Sequence, residues 1–506
     1  MANIVAIPRF YLVYGVCLPL AILVGYQLAE PMESSSVGIL VLVLSILSIP
    51  FLLRWHHPLL VLCWNCSCVL YFLPGAPGVW MFAAWISLFL AMLDRSVGRR
   101  IGFFNARQVA ASLVCFTAIV MATAYLTGGV GLRTMGSETF GGRKYVFLLS
   151  GVAGYFALAT QRITPNRAGI YVLLFFLSGL ASLLGLVGAM VPGLEFLAQL
   201  FPTPYHLTGE MPNSVINIEP EITRLGVLMP VSLGLFTYLL ARYGVRGVTN
   251  IRRPWRLLLL GVAVMIGAFA GFRSLLITLF ATFALLFYWE GLFRMRYLFI
   301  AVLAGGLCLA FVAPFAQKLP MPVQRTLSFL PIDVDPFARA DAEGSTDWRL
   351  DMWKQLLPEV PRHLIKGKGY GIDPTELYMA NVSSINHGGE QSAIVAGDYH
   401  NGPLSVIIPF GAFGAAAFLW FLWACIRTLH QNYRHGDPSL RLINTLLLAL
   451  FVTRAIMFFV VFGSLFSDMS MFTGLIGLSV SLNSGVAQPQ TTEEEVALDD
   501  PAFQEA

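Results

Sequence analysis

Charge is the scarcest commodity in this chain. Charged residues fill 12% of its 506 positions and hydrophobic ones 57%. Soluble domains carry about a quarter charged residues. A chain this poor in charge cannot cover a water-facing surface, so a soluble globular fold is excluded. The formal net charge of +4 is small for this length and gives no reason to expect nucleic acid as a partner. Cysteine supplies no framework. All seven (Cys17, Cys63, Cys66, Cys68, Cys115, Cys308 and Cys425) lie in apolar runs and none in the long polar stretch, which excludes a disulfide scaffold. CWNCSC, Cys63 to Cys68, has a spacing that invites a metal. Cysteines inside apolar helices act as small hydrophobes, however, and we expect no metal there. Phe10 to Ala29 lacks a small-residue cleavage site and reads as a retained span. No internal repeat is visible.

What is present are apolar runs long enough to cross about 30 Å of hydrocarbon as helix. The expected fold is all-α and polytopic, with about fourteen spans: 10–29, 37–53, 58–73, 78–93, 109–127, 145–160, 168–190, 225–241, 257–272, 274–289, 297–315, 402–425, 442–463 and 469–483. The organisation follows from these. Residues 1–200 form an N-terminal membrane region and 201–315 a second one. Residues 316–401 are a long polar loop, 402–485 a C-terminal membrane region, and 486–506 an acidic, disordered tail.

Lysine and arginine orient the chain. With the N-terminus inside, the inner loops hold seventeen basic residues. The short outer loops hold five: Arg133, Arg143, Lys144, Arg224 and Arg273. Both termini are then inside, and the long loop faces outward.

In that orientation polar groups gather at one depth. His400 and Asn401 precede the span at 402, and Arg224 precedes the span at 225. Arg273 occupies a turn between two apolar spans, where an unpaired arginine is costly. Arg349 lies in the loop, and Asp468 in the turn before the last span. Arginine clamps phosphate oxygens in a planar fork. A histidine near a positive helix end and near arginines is favoured as neutral imidazole, which can accept a proton from a hydroxyl. Each residue also has an ordinary explanation: an interfacial histidine decorates, an arginine snorkels, an aspartate caps a helix. Arg454, inside a span, either pairs with Asp468 or lines the site.

Other motifs read as structural. GKGYG (Gly367–Gly371) lacks the Lys-Ser/Thr of a phosphate loop and reads as a turn. DVD (Asp333–Asp335) is too short a pattern to argue a metal. WRLDMWKQLLPEV reads as an amphipathic helix, with Trp348, Leu350, Trp353 and Leu357 suited to a membrane surface.

Taken together, these residues resemble the O-antigen ligase and O-antigen polymerase superfamily. The ligase signature is His followed by Asn, Ser or Gln, then nine residues, Gly, two residues, and Gly, Thr or Tyr. It is met by His400-Asn401, GPLSVIIPF, Gly411 and Gly414. RLDMW (Arg349, Trp353) followed by GKGYG is similar to the family's upstream pattern. So are GFRS at Arg273 and TRLG at Arg224, although the usual Pro-Asn after the latter is missing. Phe466-Ser467-Asp468 matches a late Phe-Asp pair loosely. The resemblance spans roughly 220–475. It implies a fold of the large membrane glycosyltransferase type in the bacterial inner membrane. The implied reaction is en bloc transfer of a glycan from undecaprenyl pyrophosphate to a hydroxyl on a glycan, lipid A-core or protein, at the outer face and without a metal. His400 would be the base. Arg224, Arg273 and Arg349, with Asn401 and Asp468, would bind substrate. A polymerase or a protein O-oligosaccharyltransferase would share this chemistry. A flippase would instead need paired broken helices at mid-membrane.

Overall fold

The computed structural model describes residues 34–96, 106–131, 140–202, 224–387 and 390–489, with positions 18, 19, 21, 22 and 25. Most of the expected first span, Arg9, Arg99, Arg100, Arg133 and nearly all of the acidic tail lie outside these residues. The chain divides into two compact units, Met1–Leu59 and Leu60–Ala506. The site lies wholly in the second.

Helix α1, Ser34–Cys63, carries Pro50 and Pro58 inside it. It joins two stretches expected to be separate spans, 37–53 and 58–73. The second of these is therefore corrected: the helix ends at Cys63 and the chain turns back on itself. Leu70 N–H donates to Pro77 C=O at 2.9 Å, and Val79 N–H to Cys68 C=O at 2.9 Å. The cause is the PGAPG cluster at 74–78. Gly75 and Ala76 take positive φ, and proline cannot supply an amide to continue a helix.

From residue 78 onward every expected span has a helix. These are α2 Val79–Ser96, α3 Arg107–Leu126, α4 Gly142–Ala159, α5 Pro165–Leu177 continued by α6 Ser182–Met190, α7 Leu228–Val248, α8 Trp255–Phe269, α9 Arg273–Trp289 and α10 Met295–Val312. After the loop come α12 Gly402–His435, α13 Arg441–Val460 and α14 Leu465–Asn483. The protein is an all-α, polytopic membrane protein. Among the described residues eight helical segments are long and apolar enough to cross a membrane, with α8 and α9 as shorter apolar helices. The expected count of fourteen is not reached by that measure.

Small residues let the central helices touch, as membrane packing requires. Gly151 of α4 lies against Met469 and Thr473 of α14, and Gly477 of α14 lies against Leu158 of α4. Trp64 fills the notches at Gly154 and Gly474 and donates its indole N–H to Ser470 C=O at 3.1 Å. That is what the CWNCSC segment does here: its tryptophan is a core anchor.

The long loop is folded. Its main element, α11 (Pro336–Leu356), starts on an Asp335 cap whose side chain accepts from Phe337 N–H. Trp348 and Trp353 of α11 turn toward the start of α12, while Leu350 and Leu357 stay exposed. The expectation that all four lie on one surface face is corrected. The helix is oriented by the turn it packs against rather than by its amphipathic period.

Helix α12 is broken. Gly411 has φ 66° and ψ −167°, a region open essentially to glycine alone. The break frees carbonyls, and the GKGYG turn answers them. Lys368 N–H donates to Ile408 C=O at 2.8 Å, and Gly369 N–H to Pro409 C=O at 2.9 Å. In return Ala412 N–H donates to Leu364 C=O at 2.7 Å. The nine residues between the His-Asn pair and Gly411 are therefore a short helix of their own. It is capped at one end and plugged by the loop at the other.

Candidate active site

Asn401 is the cap of α12, its side-chain oxygen accepting from Leu404 N–H at 3.0 Å. This is an ordinary duty for asparagine. It sets the direction in which the chain leaves His400. His400 itself has φ 47°, a left-handed conformation that costs an L-residue about 1–2 kcal/mol and must be held by its surroundings. Trp353 holds one side, its indole N–H donating to Tyr399 C=O at 2.9 Å. Tyr399 is buried with Met352, Leu356 and Ile408. The imidazole packs between Trp348, at 5.4 Å between ring centroids, and Phe462, at 5.2 Å with 30° between the ring planes. The Asp398 carboxylate stands 3.9 Å from Nδ1, beyond hydrogen-bond reach. The His400 side chain keeps 27% of its surface open.

Phe462 links the histidine to the arginines. The Arg349 guanidinium lies 5.8 Å from the centroid of the same ring. Arg273, the first residue of α9, reaches across to α11. It donates to Ala342 C=O at 2.5 Å and to Thr346 Oγ1 at 3.0 Å. Arg224, just ahead of α7, lies 3.8 Å from Asp341 Oδ2 and over the ring of Phe272. A fourth arginine completes the group. Arg325 is 3% exposed, pairs with the same Asp341 oxygen, and donates to Gly271 C=O at 2.6 Å. Burial, and then the positive charges of Arg273, Arg224 and Arg325, lower the pKa of Arg349 from its ordinary value. Arg224 and Arg325 share the single Asp341 carboxylate, so the cluster carries excess positive charge suited to a polyanion.

Sequence reasoning named His400, Arg224, Arg273 and Arg349, and the structure brings these together. Arg325 was missed, and so was the anchoring use of Asp341. Arg325 stands in a polar loop with nothing local to mark it; its partners are 16 and 54 residues away. Asp468 sits elsewhere in the network. It is 1% exposed, one oxygen pairs with Arg454, and the other accepts from Ser464 N–H at 2.9 Å. Of the two roles open to Arg454, pairing with Asp468 is the one realised. DVD also has local duties: Asp333 accepts from Gln317 at 2.7 Å, and Asp335 caps α11. Among the described residues no three His, Cys, Asp or Glu side chains are grouped to hold a metal ion.

A partly exposed imidazole thus stands beside an arginine cluster, on a loop folded over helix ends. Residues 256–419 match the O-antigen ligase family. The match supports membership of the O-antigen ligase superfamily. It contains Arg273, Arg325, Asp341, Arg349, His400 and the break at Gly411; Arg224 and Asp468 lie beyond it. No curated protein matches the chain. The superfamily consists of glycosyltransferase-like enzymes of polysaccharide biosynthesis, which implies a lipid-linked glycan donor and a glycan-accepting partner in general terms.

Proposed function

We propose that the protein transfers a glycan en bloc from undecaprenyl pyrophosphate to an acceptor hydroxyl at the outer face of the bacterial inner membrane. Phe462 carries the reading, because one ring supports both the His400 imidazole and the Arg349 guanidinium. A base for the acceptor and a cation for the leaving group are thereby a single ring apart. A ring nitrogen of His400 accepts the hydroxyl proton as the acceptor oxygen bonds to the anomeric carbon. The bond from that carbon to the pyrophosphate oxygen breaks, and the departing diphosphate gathers negative charge. Arg224, Arg273 and Arg349 meet that charge, with Arg325 holding Asp341 and hence the base of the cluster. Cations fixed where charge develops are among the strongest contributions to such a reaction. Among the acceptors open to the family we favour lipid A-core, on the ligase form of the His400 to Gly414 signature.

The test is to purify the protein with a synthetic undecaprenyl-pyrophosphate-linked oligosaccharide and lipid A-core. Release of undecaprenyl pyrophosphate is expected only when acceptor is present. A protein that moved the lipid between leaflets and left it whole would contradict the reading.

A further inference from the structure

Lys144 is the second cation in the first turn of α4, beside Arg143. A cation at a helix N-terminus opposes the helix dipole, so its placement asks for compensation. The compensation comes from another part of the chain. Lys144 Nζ donates to Ala396 C=O at 2.5 Å and to Gly397 C=O at 2.8 Å. The rings of Tyr370 and Phe466 lie 5.4 and 4.8 Å from it, within cation–π range. Asp398 is close enough to act on its charge.

The position of Lys144 is itself fixed. Phe140 and Ile372 exchange backbone hydrogen bonds at 2.9 and 3.0 Å. Gly141, at φ 114°, passes so close to the carbonyl of Tyr370 that no side chain fits. The start of α4 is thus strapped to the GKGYG turn, which in turn plugs the broken helix α12. From there the ammonium grips the two carbonyls just before Asp398, Tyr399 and His400. Gly397 takes φ 68° and His400 φ 47°, so the turn contains two left-handed residues within four positions. Trp353 secures the carbonyl of Tyr399 on the far side. Lysine and tryptophan are therefore paired clamps on a strained turn, one on each side of Asp398.

We propose that Lys144 is a positioning residue for His400: it holds the 396–399 turn so that the imidazole stays between Trp348 and Phe462. The inference rests on the reading of His400 as the base. It adds a residue from α4, far outside the matched segment, to the transfer machinery.

A double-mutant cycle tests it, with the synthetic donor and lipid A-core as probes. Lys144→Met should lower kcat roughly tenfold to a hundredfold, the scale of one hydrogen bond to a charged group, with KM for the donor unchanged. In a His400→Ala background the same change should have no further effect, because coupled residues are not additive. Equal losses in both backgrounds, or wild-type kcat in Lys144→Met beside an inactive His400→Ala, would overturn the inference and leave the proposed function standing. Wild-type turnover in His400→Ala would overturn the role of His400 itself, and this inference with it. If Lys144→Met does not fold, Lys144→Gln, which keeps amide donors without the charge, is put through the same cycle. If neither folds, Lys144 is a structural residue and the inference fails.

Discussion

A guanidinium at the head of an apolar helix must be held by something, and Arg273 is held by Ala342 C=O and Thr346 Oγ1 through one terminal nitrogen. That leaves the rest of its planar fork for a second partner. Lysine offers one point charge in place of a fork. Arg273→Lys is therefore expected to bind donor about tenfold or more weakly at unchanged expression, as measured by donor titration. Equal affinity would mean that Arg273 serves packing. His400→Ala is expected to insert and fold but to lose about 10²–10⁴ in transfer rate, the usual contribution of a general base. The check is single-turnover release of undecaprenyl pyrophosphate beside a thermal melt. At this scale the sequence spoke where a residue sat in a short turn between apolar runs, as Arg273 and His400 do. It was silent on Arg325 and Lys144. Each looks like an ordinary loop or interfacial charge until a distant carboxylate or carbonyl is folded against it.

Among the elements, α12 shows how much a single glycine can decide. An alanine at Gly411 would sit at φ 66°, ψ −167° and place its Cβ 2.6 Å from Leu364 C=O. We expect Gly411→Ala to destabilise the protein by about 2–3 kcal/mol, from left-handed strain plus displacement of the plugging loop. The effect should appear as a lower unfolding midpoint in detergent. Gly305→Ala is the contrasting case. Gly305 lies within α10 with nothing near its added methyl group, so alanine should stabilise by about 0.5–1 kcal/mol. A fall in the midpoint for both would mean that helix breakage is not what Gly411 provides. Hydropathy could not reveal this break. The residues on either side of Gly411 are as apolar as any span, and the backbone groups that satisfy it come from a loop more than 40 positions upstream. The same blindness joined Trp64 to Phe72 into an expected span: those residues are apolar enough, but the Pro-Gly cluster after them folds them back.

Across the whole molecule the charge balance of the loop-side cluster decides what the reaction needs. Asp341 is engaged by Arg325 and Arg224, Asp468 by Arg454, and Asp333 and Asp335 by neighbours in the loop. A divalent ion would have to strip carboxylates from these partners, whereas in the proposed reaction Arg224, Arg273 and Arg349 would meet the charge of the diphosphate. Transfer is therefore expected to survive EDTA. Loss of activity on chelation, restored by magnesium or manganese, would sink the arginine account. The order of membrane helices from Val79 onward was legible because lipid imposes a length and a composition on every crossing. Which of their ends converge was legible only in part. Alternation assigns the side, while the folded loop chooses the neighbours.

The hydrogen bond from Trp64 to Ser470 joins positions 406 residues apart, and Arg454 finds its carboxylate only in the final helix. A ribosome delivers Ser470 long after Trp64, and Asp468 after Arg454. Until α14 emerges, the early helices lack the surface that receives Trp64, and α13 carries an uncompensated arginine. The newly made chain must wait, long after Trp64 is in place, for the helix that receives it. A chain terminated before Leu465 should therefore be a substrate for membrane quality control rather than a smaller working enzyme.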